Sequence, residues 1–468
     1  MERYARQVMI EGWDQKRLAA TTMLVIGSGL LARLSSLLAA AMGIGRIFLL
    51  GDGRVEGVDR RFLLTDVRVG SSLVRTWAEA LRRVNPEIVV EFSHDVPCSR
   101  SADYLRVPHV IVEASQDLGW KGEALAMARH WQTDLITAAS GPRVGLYRVG
   151  PTVGNGFACF RGVREDPLVS LVVAALLVEE VRRLRLPLGP SDLPPEGPVL
   201  VSPEALHRYA GGTVLETGWG RGTDTTDITL VGAGALGTWV GIALGMSTEE
   251  SVRLRVYDPD LVEATNLNRQ VLFWDSVHKP KATALSERLT ALFPAIEARG
   301  HVEAVDDGNL AAACTTDLVV CGPDTFAARA LLHRGSLLHR TSLVNGGTSA
   351  FGASVAAYVP GRSPCLECSM RVATMARALS ASEERARCAG TPEPSVVTSS
   401  ALAGALMAYE ARASLAGRPI RGVVEYDGLS CQRRLGARPP RTPCGCGGAR
   451  LMETGSVHAS EQATVKTL

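Results

Sequence analysis

Residues 228–237 read ITLVGAGALG, a short apolar run that contains three glycines, Gly232, Gly234 and Gly237. The following stretch, TWVGIALG from Thr238, has the apolar composition of a buried helix. A strand that passes through a glycine turn into a helix brings backbone N–H groups and the positive helix end to a phosphate. The spacing predicts the nucleotide-binding turn of a Rossmann unit, but by itself it fits several classes of nucleotide-binding protein.

An acid and a group of polar residues follow this glycine turn. The next apolar run, 254–257, ends at Asp258, about 20 residues after the last glycine, where Rossmann units carry an acid that binds a ribose hydroxyl. The chain then reads DPDLVEATNLNRQVLF and, further on, KPKA. Hydride transfer by a dehydrogenase creates no phosphate charge, whereas attack on the α-phosphate of ATP requires groups that hold the triphosphate and the departing pyrophosphate. The two stretches supply four such groups: Asn266, Arg269, Gln270 and Lys281.

In these stretches the sequence resembles the ATP-dependent adenylyltransferases that activate ubiquitin and the ubiquitin-like sulfur carriers of thiamine and molybdopterin synthesis. DPDLVEATNLNRQ and the Pro-Lys pair at 280–281 match the pattern of that family. The resemblance implies that Asp258 binds the ribose of ATP and that the four polar groups bind its phosphates. It also implies that Asp324, in CGPDTFAAR, holds Mg²⁺. The match is strong over residues 225–447 and weak over residues 1–180.

Length, charge and composition limit the class of protein. The 468 residues correspond to about two to three domains, and 46% of them are hydrophobic, enough to form large cores. A net charge of +2 gives no strong attraction to nucleic acid, so we expect no nucleic-acid partner. Apolar runs of about 18 residues are missing and the N-terminus is charged, so we expect neither a membrane span nor a signal peptide. These features predict a cytoplasmic protein.

The first part of the chain repeats the second. Residues 23–64, MLVIGSGLLARLSSLLAAAMGIGRIFLLGDGRVEGVDRRFLL, parallel the stretch that begins at Ile228. Each half reads as alternating strands and helices, so the predicted fold class is α/β, with two Rossmann-like doubly wound domains that form an intramolecular pseudo-dimer. The expected divisions are an inactive adenylation domain at 1–186, a linker at 187–224, an active adenylation domain with a crossover loop and a zinc site at 225–448, and a disordered tail at 449–468.

The first copy lacks the residues that are expected to bind nucleotide in the second. Its turn, GSGLLA at 27–32, has no third glycine, and VDRRFLL stands where the second copy has NLNRQVLF. VGSSLVRT replaces the KPKA region, so no lysine matches Lys281. We interpret the first copy as a degenerate partner domain. The alternative, an ordinary Rossmann domain that binds its own nucleotide, is supported only by the glycine pattern.

The N-terminal stretch RYARQ, residues 3–7, has no counterpart before the second glycine turn. In the resembling family, an N-terminal arginine reaches across a dimer into the ATP site of the neighbour. The resemblance therefore implies that Arg6 reaches from the inactive half into the active half. The alternative is that Arg6 lies on the surface of an N-terminal helix, the usual location of an arginine.

Two cysteine pairs, about 75 residues apart, indicate a metal site. Cys365 and Cys368 form C-x-x-C, and Cys444 and Cys446 form C-x-C. Four thiolates from two separated knuckles suit a closed, tetrahedral structural zinc site. The resembling family has such a site with C-x-x-C at both knuckles, so the departure here makes Cys446 the weakest assignment. The alternative is four core cysteines without metal.

Cys388 lies in SASEERARCAGTPEPSVVTSS, a charged, proline-containing stretch that we predict to be an exposed loop. Arg385 and Arg387 precede it, and nearby cations favour the thiolate. The resembling family places its acceptor cysteine in the corresponding loop, which implies a thioester or persulfide at Cys388; the alternative is an incidental exposed cysteine. The remaining cysteines in or beside apolar stretches are predicted to be buried: Cys98, Cys314, Cys321 and Cys431.

The resemblance implies an enzyme that uses ATP, Mg²⁺ and Zn²⁺ to adenylate the C-terminal carboxylate of a ubiquitin-like protein, captures it on Cys388 and passes it to a conjugating enzyme. One inactive copy fused to one active copy resembles the ubiquitin-type activating enzymes, in the compact form of bacterial conjugation operons, including antiviral ones. Only about 20 residues separate Cys368 from Cys388, so no large cysteine domain is inserted. Recruitment of a conjugating enzyme, and the choice between monomer and homodimer, stay open.

Two other functions are compatible with the sequence. An adenylyltransferase for a sulfur carrier or for the C-terminus of a small peptide would use the same ATP residues without thioester transfer. A non-enzymatic scaffold would bind a nucleotide and hold partners together. The presence of Arg269, Lys281 and Asp324 argues against the scaffold.

Overall fold

The computed structural model describes residues 2–57, 63–64, 67–98, 105–141, 145–150, 165–189, 199–201, 225–379, 394–417, 423–429, 432–436, 444 and 446. Within these residues the chain forms two β-sheets, one in each half, with helices packed against them. None of the helices described there combines the length and the apolar character needed to cross a bilayer.

The first sheet contains seven of the described strands. They are β1 Thr22–Ile26, β2 Arg46–Leu50, β3 Val89–Ser93, β4 Val110–Glu113, β5 Asp134–Ser140, β6 Gly145–Val149 and β7 Val199–Val201. Their order across the sheet is β3-β2-β1-β4-β5-β6-β7. Strands β1 to β5 are parallel, whereas β6 and β7 pair antiparallel at one edge. Strand β7 lies within the stretch predicted as a linker, so part of that stretch belongs to the first sheet.

The second sheet contains eight of the described strands. They are β8 Thr226–Val231, β9 Val252–Tyr257, β10 Ile296–His301, β11 Leu318–Cys321, β12 Ser342–Thr348, β13 Gly352–Tyr358, β14 Val423–Asp427 and β15 Gln432–Gly436. The order is β10-β9-β8-β11-β12-β13-β14-β15, parallel from β10 to β12 and antiparallel beyond. The first five positions of each sheet follow the same order, which is that of a doubly wound unit.

The helices of the first half alternate with its strands. They are α1 Ala5–Val8, α2 Gln15–Ala19, α3 Leu30–Met42, α4 Leu73–Val84, α5 Leu118–Trp131 and α6 Pro167–Arg185, after a 3-10 turn at Glu2–Tyr4. The N-cap of α6 is Asp166, whose side chain accepts from the N–H groups of Leu168 and Val169. Pro167 is the first residue of the helix, where its missing N–H removes no helical hydrogen bond.

The helices of the second half follow the same plan. They include α7 Ala235–Ser247, α8 Lys281–Leu292, α9 Leu310–Cys314, α10 Phe326–His339, α11 Leu366–Met370 and α12 Val397–Leu415, with a 3-10 turn at Ala264–Asn266 and further helical residues at 372–379. Helix α7 begins three residues earlier than the apolar stretch from Thr238 suggested, because Gly234 is its N-cap.

The two halves share one hydrophobic core. A single cluster of buried apolar side chains runs from Trp13 in the first half to Tyr426 in the second. Within the second half, Gly404 of α12 lies so close to α7 that an added Cβ would be 2.6 Å from Cβ of Trp239. Thr398 of α12 donates a hydrogen bond to Oε2 of Glu179 on α6 (3.0 Å), while Oε1 of Glu179 accepts from Arg182 of the same helix (2.9 Å). This shared core forms the intramolecular pseudo-dimer.

Backbone hydrogen bonds place the two halves in residue-by-residue register. Gly27 donates to Leu50 O (2.9 Å), as Gly232 donates to Tyr257 O (2.8 Å). The first residues of α4 and α8 also match, because Leu73 donates to Gly53 O (2.9 Å) and Lys281 donates to Asp260 O (2.9 Å). The repeat predicted from the sequence is therefore present in the backbone, and equivalent positions can be compared directly. By this register, the equivalent pairs are Gly51 with Asp258, Gly53 with Asp260 and Leu73 with Lys281.

Candidate active site

Two glycines of the turn in the second half, Gly232 and Gly237, lie where no side chain fits. Gly232 has a φ of +96°, and a Cβ there would lie 2.8 Å from the carbonyl oxygen of Gly322. A Cβ on Gly237 would lie 1.9 Å from the carbonyl oxygen of Gly232. The turn leads into α7, whose N-cap, Gly234, supplies no side-chain cap. The positive N-terminus of this helix is thus formed by backbone alone, as in a phosphate-binding turn.

Asp258 holds the glycine turn against the end of β9. Its Oδ2 accepts from the N–H of Ala233 (2.7 Å) and its Oδ1 accepts from the N–H of Asp260 (2.9 Å). The residue is 6% exposed, and this burial raises the pKa of its carboxyl, while the two backbone donors act in the opposite direction. Asp258 therefore has a structural role that its position in the sequence did not indicate. Its binding of a ribose stays a prediction.

Lys281 lies at the start of α8 and forms an ion pair with a second acid. Its Nζ is 2.8 Å from Oδ2 of Asp260, and the lysine is buried whereas Asp260 is exposed. Asp260 was not singled out in the sequence, although it is the second acid of DPD, two residues after Asp258. The pair places a cation at the carboxyl end of β9, close to the glycine turn.

The stretch NLNRQ forms a compact turn beside the glycines. Asn266 accepts from the N–H of Glu263 through Oδ1 (3.0 Å) and so closes a capping box. Gln270 is buried, and a Cβ on Gly234 would lie 3.9 Å from its Nε2. Within the described part of the chain, Oε1 of Gln270 has no hydrogen-bond partner. A buried amide oxygen beside an open helix N-terminus is free to accept from a ligand.

Arg269 and Arg6 come together at this turn from the two halves. Nη1 of Arg269 donates to Thr265 O (2.8 Å) and to Oδ1 of Asn268 (2.9 Å). Burial and, to a smaller extent, the nearby charge of Arg6 together lower the pKa of Arg269 to about 10. Two arginines placed close enough to repel favour a bound anion between them. Arg6 lies on α1, in the first half, so this electrostatic interaction across the halves occurs within one chain.

Asp324 is exposed between β11 and α10. The strand end that precedes it is joined to the glycine strand, because Gly322 donates to Val231 O (2.9 Å). Asp324 thus lies at the same edge of the sheet as the glycine turn. Its role as a magnesium ligand stays a prediction.

The four predicted zinc ligands form one cluster. Their sulfur atoms all lie within 4.8 Å of one another: Cys365, Cys368, Cys444 and Cys446. Individual separations are 3.7 Å within the first knuckle, 3.6 and 3.8 Å between the knuckles, and 3.2 Å within the second. A tetrahedral zinc with bonds of about 2.3 Å requires sulfurs about 3.8 Å apart. The donor set therefore fits zinc, including Cys446.

The other cysteines divide into three groups. Cys314 and Cys321 are buried as predicted, and burial raises their pKa to about 11 and about 12, so both are neutral thiols. The prediction for Cys98 was wrong, because this residue is exposed. It lies in the connection after β3, outside the strand itself. Cys159, Cys388 and Cys431 lie outside the described residues.

A model of the ThiF family matches residues 4–172 and 223–446. These two ranges include most of the chain, so the protein belongs to the ThiF family, within the superfamily of enzymes that activate ubiquitin and sulfur carriers. The match in two pieces, one in each half, agrees with the internal repeat and with the α/β fold class. The resemblance noted in the sequence is confirmed.

Individual relatives cover only parts of the chain. Heterocyst protein HesA of Trichormus variabilis is 39% identical over 166 residues, which are 34% of this chain and 62% of that protein. The catalytic subunit of the NEDD8-activating enzyme E1 of Arabidopsis thaliana is 30% identical over 161 residues, 31% of this chain and 35% of that protein. The crystal structure of E. coli MccB with ATP has a TM-score of 0.41 and 19% identity over 47% of this chain and 65% of MccB. The chain thus spans less than two thirds of each of these proteins.

Proposed function

We propose that the second half adenylates the C-terminal carboxylate of a ubiquitin-like protein with ATP and Mg²⁺. The observation that carries the proposal is the meeting of three features at one edge of the second sheet. A glycine turn whose helix begins without a side-chain cap from Gly234 lies beside the amide of Gln270, whose Nε2 can donate to a phosphate, and the neighbouring charges of Arg269 and Arg6. This arrangement suits a polyphosphate. Membership of the ThiF family supports ATP as the source of that polyphosphate.

In the proposed reaction, the carboxylate oxygen attacks the α-phosphorus, and the bond to the bridging oxygen breaks to release pyrophosphate. The product is an acyl-adenylate. A general base is not required, because a terminal carboxyl is already ionised at neutral pH. Asp258 would bind the ribose and Asp324 would hold Mg²⁺. Cations and amides would stabilise the phosphate charge as it develops: Arg6, Asn266, Arg269, Gln270 and Lys281.

In a second proposed step, the thiolate of Cys388 attacks the acyl carbon and AMP leaves, which gives a thioester for a conjugating enzyme. The support for this step is the resemblance and the two arginines before Cys388. Zinc, when bound by the four cysteines, would supply structural cross-linking between the first knuckle and the C-terminal knuckle. It takes no part in the steps above.

The test combines pyrophosphate exchange with a non-reducing gel. The protein is mixed with Mg²⁺, ATP and a panel of ubiquitin-like proteins, beside a Cys388→Ala variant and the control Cys98→Ala, which removes an exposed cysteine of the first half. We expect exchange in all three proteins, and a thiol-sensitive band, larger by one carrier, in all but Cys388→Ala. Exchange without that band would leave adenylation of a sulfur carrier or a peptide C-terminus. No exchange with any carboxylate substrate would refute the proposal.

A further inference from the structure

The N-terminal segment of the first half, residues 3–7, contacts the second half directly beside Arg269. One terminal guanidinium nitrogen of Arg3 donates both to Leu267 O (3.1 Å) and to Val84 O (3.0 Å). Arg3 is buried; carbonyl groups from both halves accept from this nitrogen, and Oε1 of Glu87 lies 3.7 Å from its Nε. The segment is therefore attached to the turn that carries Arg269, rather than lying on an outer surface.

Two amides connect this segment to the guanidinium of Arg269. Nδ2 of Asn268 donates to Oε1 of Gln7 (3.1 Å), and Oδ1 of Asn268 accepts from Nη1 of Arg269 (2.9 Å). Gln7 and Asn268 are both 0% exposed. One end of the Asn268 amide is thus held by the first half, and the other end orients Arg269.

Gln7 is itself fixed within the first half. Its Nε2 donates to Met42 O, at the end of α3 (2.8 Å), and to Oε1 of Gln15 (2.5 Å). Nε1 of Trp13 donates to the same oxygen of Gln15 (3.0 Å). Since α3 is almost entirely buried in the shared core, the chain of amide hydrogen bonds ends on a buried helix of the first half.

The same segment contacts two other parts of the proposed site. Arg6, one residue before Gln7, is the residue whose charge acts on Arg269. The carbonyl oxygen of Arg6 accepts from the N–H of Ser395 (3.3 Å), which lies shortly after the stretch that carries Cys388. A displacement of Gln7 would therefore move both arginines at once.

We propose that Gln7 and Asn268 are positioning residues, through which the half that lacks nucleotide-binding residues fixes the orientation of Arg269 in the other half. Arg6 and Arg269 repel each other when no anion lies between them, so each needs a fixed hydrogen-bond partner to stay in place. An orientation fixed before the ligand arrives removes a cost of binding and of reaction, and a misplacement of about 1 Å can lower the rate about 100-fold. The role of Arg269 on phosphate rests on the proposed function.

The test is a double-mutant cycle with two readouts. Asn268→Ala, Gln7→Ala and the double variant are compared in pyrophosphate exchange and in calorimetric binding of a non-hydrolysable Mg-ATP analogue. We expect each single change to lower kcat for exchange about 10- to 100-fold and to weaken analogue binding. Since both amides act through one contact on Arg269, the double variant should resemble the worse single variant instead of multiplying the losses.

The control is Gln116→Ala, which removes a half-buried amide of the first half that bonds Ser140 O (2.8 Å), away from Arg269. It should change both readouts less than twofold. If Asn268→Ala has a much lower Tm than wild type, Asn268→Ser, which removes fewer atoms, is used in its place. The proposal would be overturned if the losses in exchange rate of the two single variants multiply in the double variant. It would also be overturned if Asn268→Ala keeps both analogue affinity and exchange rate within threefold of wild type. If wild type exchanges no pyrophosphate, the proposed function fails, but the cycle on analogue affinity still decides the positioning role.

Discussion

The two halves have the same backbone and different chemistry at equivalent positions. By the backbone register, Gly51 stands where the second half has Asp258, Gly53 where it has Asp260, and Leu73 where it has Lys281. The first half thus keeps the turn and loses the acid, the cation and the partner of that cation. A Rossmann backbone therefore does not define a nucleotide site; the side chains at the carboxyl ends of its strands do.

In the first half, a side chain of the protein itself, Glu165, lies at the N-terminus of α3, the helix that follows the glycine turn. Oε2 of Glu165 accepts from the N–H of Leu31 in the first turn of α3 (3.1 Å), and a Cβ on Gly29 would lie 2.8 Å from Oε1 of Glu165. A carboxylate thus takes the position that a phosphate takes in a nucleotide-binding turn. In the second half, counting back from the first residues of α6 and α12, Ser395 replaces Glu165. Ser395 carries no charge, so this position supplies no carboxylate to the N-terminus of α7.

The largest effect is expected from Lys281→Ala. The substitution leaves an uncharged side chain at this position, as Leu73 does at the equivalent position of the first half. Loss of one cation that stabilises developing phosphate charge should lower pyrophosphate exchange about 100- to 1000-fold. The matched control is Arg75→Ala, an exposed cation on the equivalent helix, α4. It should leave exchange within twofold of wild type. Similar losses in both variants would mean that charge in general, and not the position of Lys281, supports the reaction.

The second effect concerns the zinc cluster of the second half. Cys368→Ala removes a buried ligand, and we expect loss of the one zinc per chain measured by elemental analysis. Losing the metal should lower the free energy of unfolding by several kcal/mol, and Tm should fall by about 10 °C as a result. Cys98→Ala, the exposed cysteine of the first half, should keep both the zinc and the Tm. Full zinc content in Cys368→Ala would contradict the site.

The smallest effect concerns Glu165 and pH. Burial raises the pKa of its carboxyl, although Gln116, at 3.2 Å, and the N–H of Leu31 act in the opposite direction. A raised folded pKa means that the stabilising contribution is complete below the unfolded pKa, about 4.3, and is lost as pH rises through the folded value. Glu165→Gln does not titrate. In urea unfolding, the variant should therefore gain stability relative to wild type as pH rises above about 4.

Glu79→Gln, on the exposed face of α4, is the control for this experiment. A stability difference between wild type and Glu165→Gln that stays constant from pH 4 to pH 8 would show that Glu165 does not change its proton affinity on folding. A difference of the opposite sign would mean that its backbone and amide donors outweigh burial.

The structure refines the sequence comparison of the halves at one more position. In sequence, VIVEASQD at 110–117 parallels LVVCGPD at 318–324, and this similarity aligns Asp117 with Asp324. In the structure, Asp117 is the N-cap of α5, as Thr325 is of α10. Gln116 therefore stands in the place of Asp324, and the first half carries no acid there. Sequence similarity could not reveal this shift of one residue in the alignment. The segments that join β4 to α5 and β11 to α10 differ in composition, and both end in a helix N-cap.

The sequence by itself determined the repeat, the glycine turn, the acid after β9 and the two cysteine pairs. These features depend on spacing within a single strand–turn–helix unit or on residue types with few other uses, so local pattern is enough. Only the tertiary structure decided that Asp258 holds the glycine turn, that Asp260 pairs with Lys281, that Glu165 fills the first helix N-terminus, and that Gln7 reaches Arg269 through Asn268. Each of these contacts joins residues that are distant in the chain or that belong to different halves. Their partners are set by the packing of two sheets around one core, which no local pattern records.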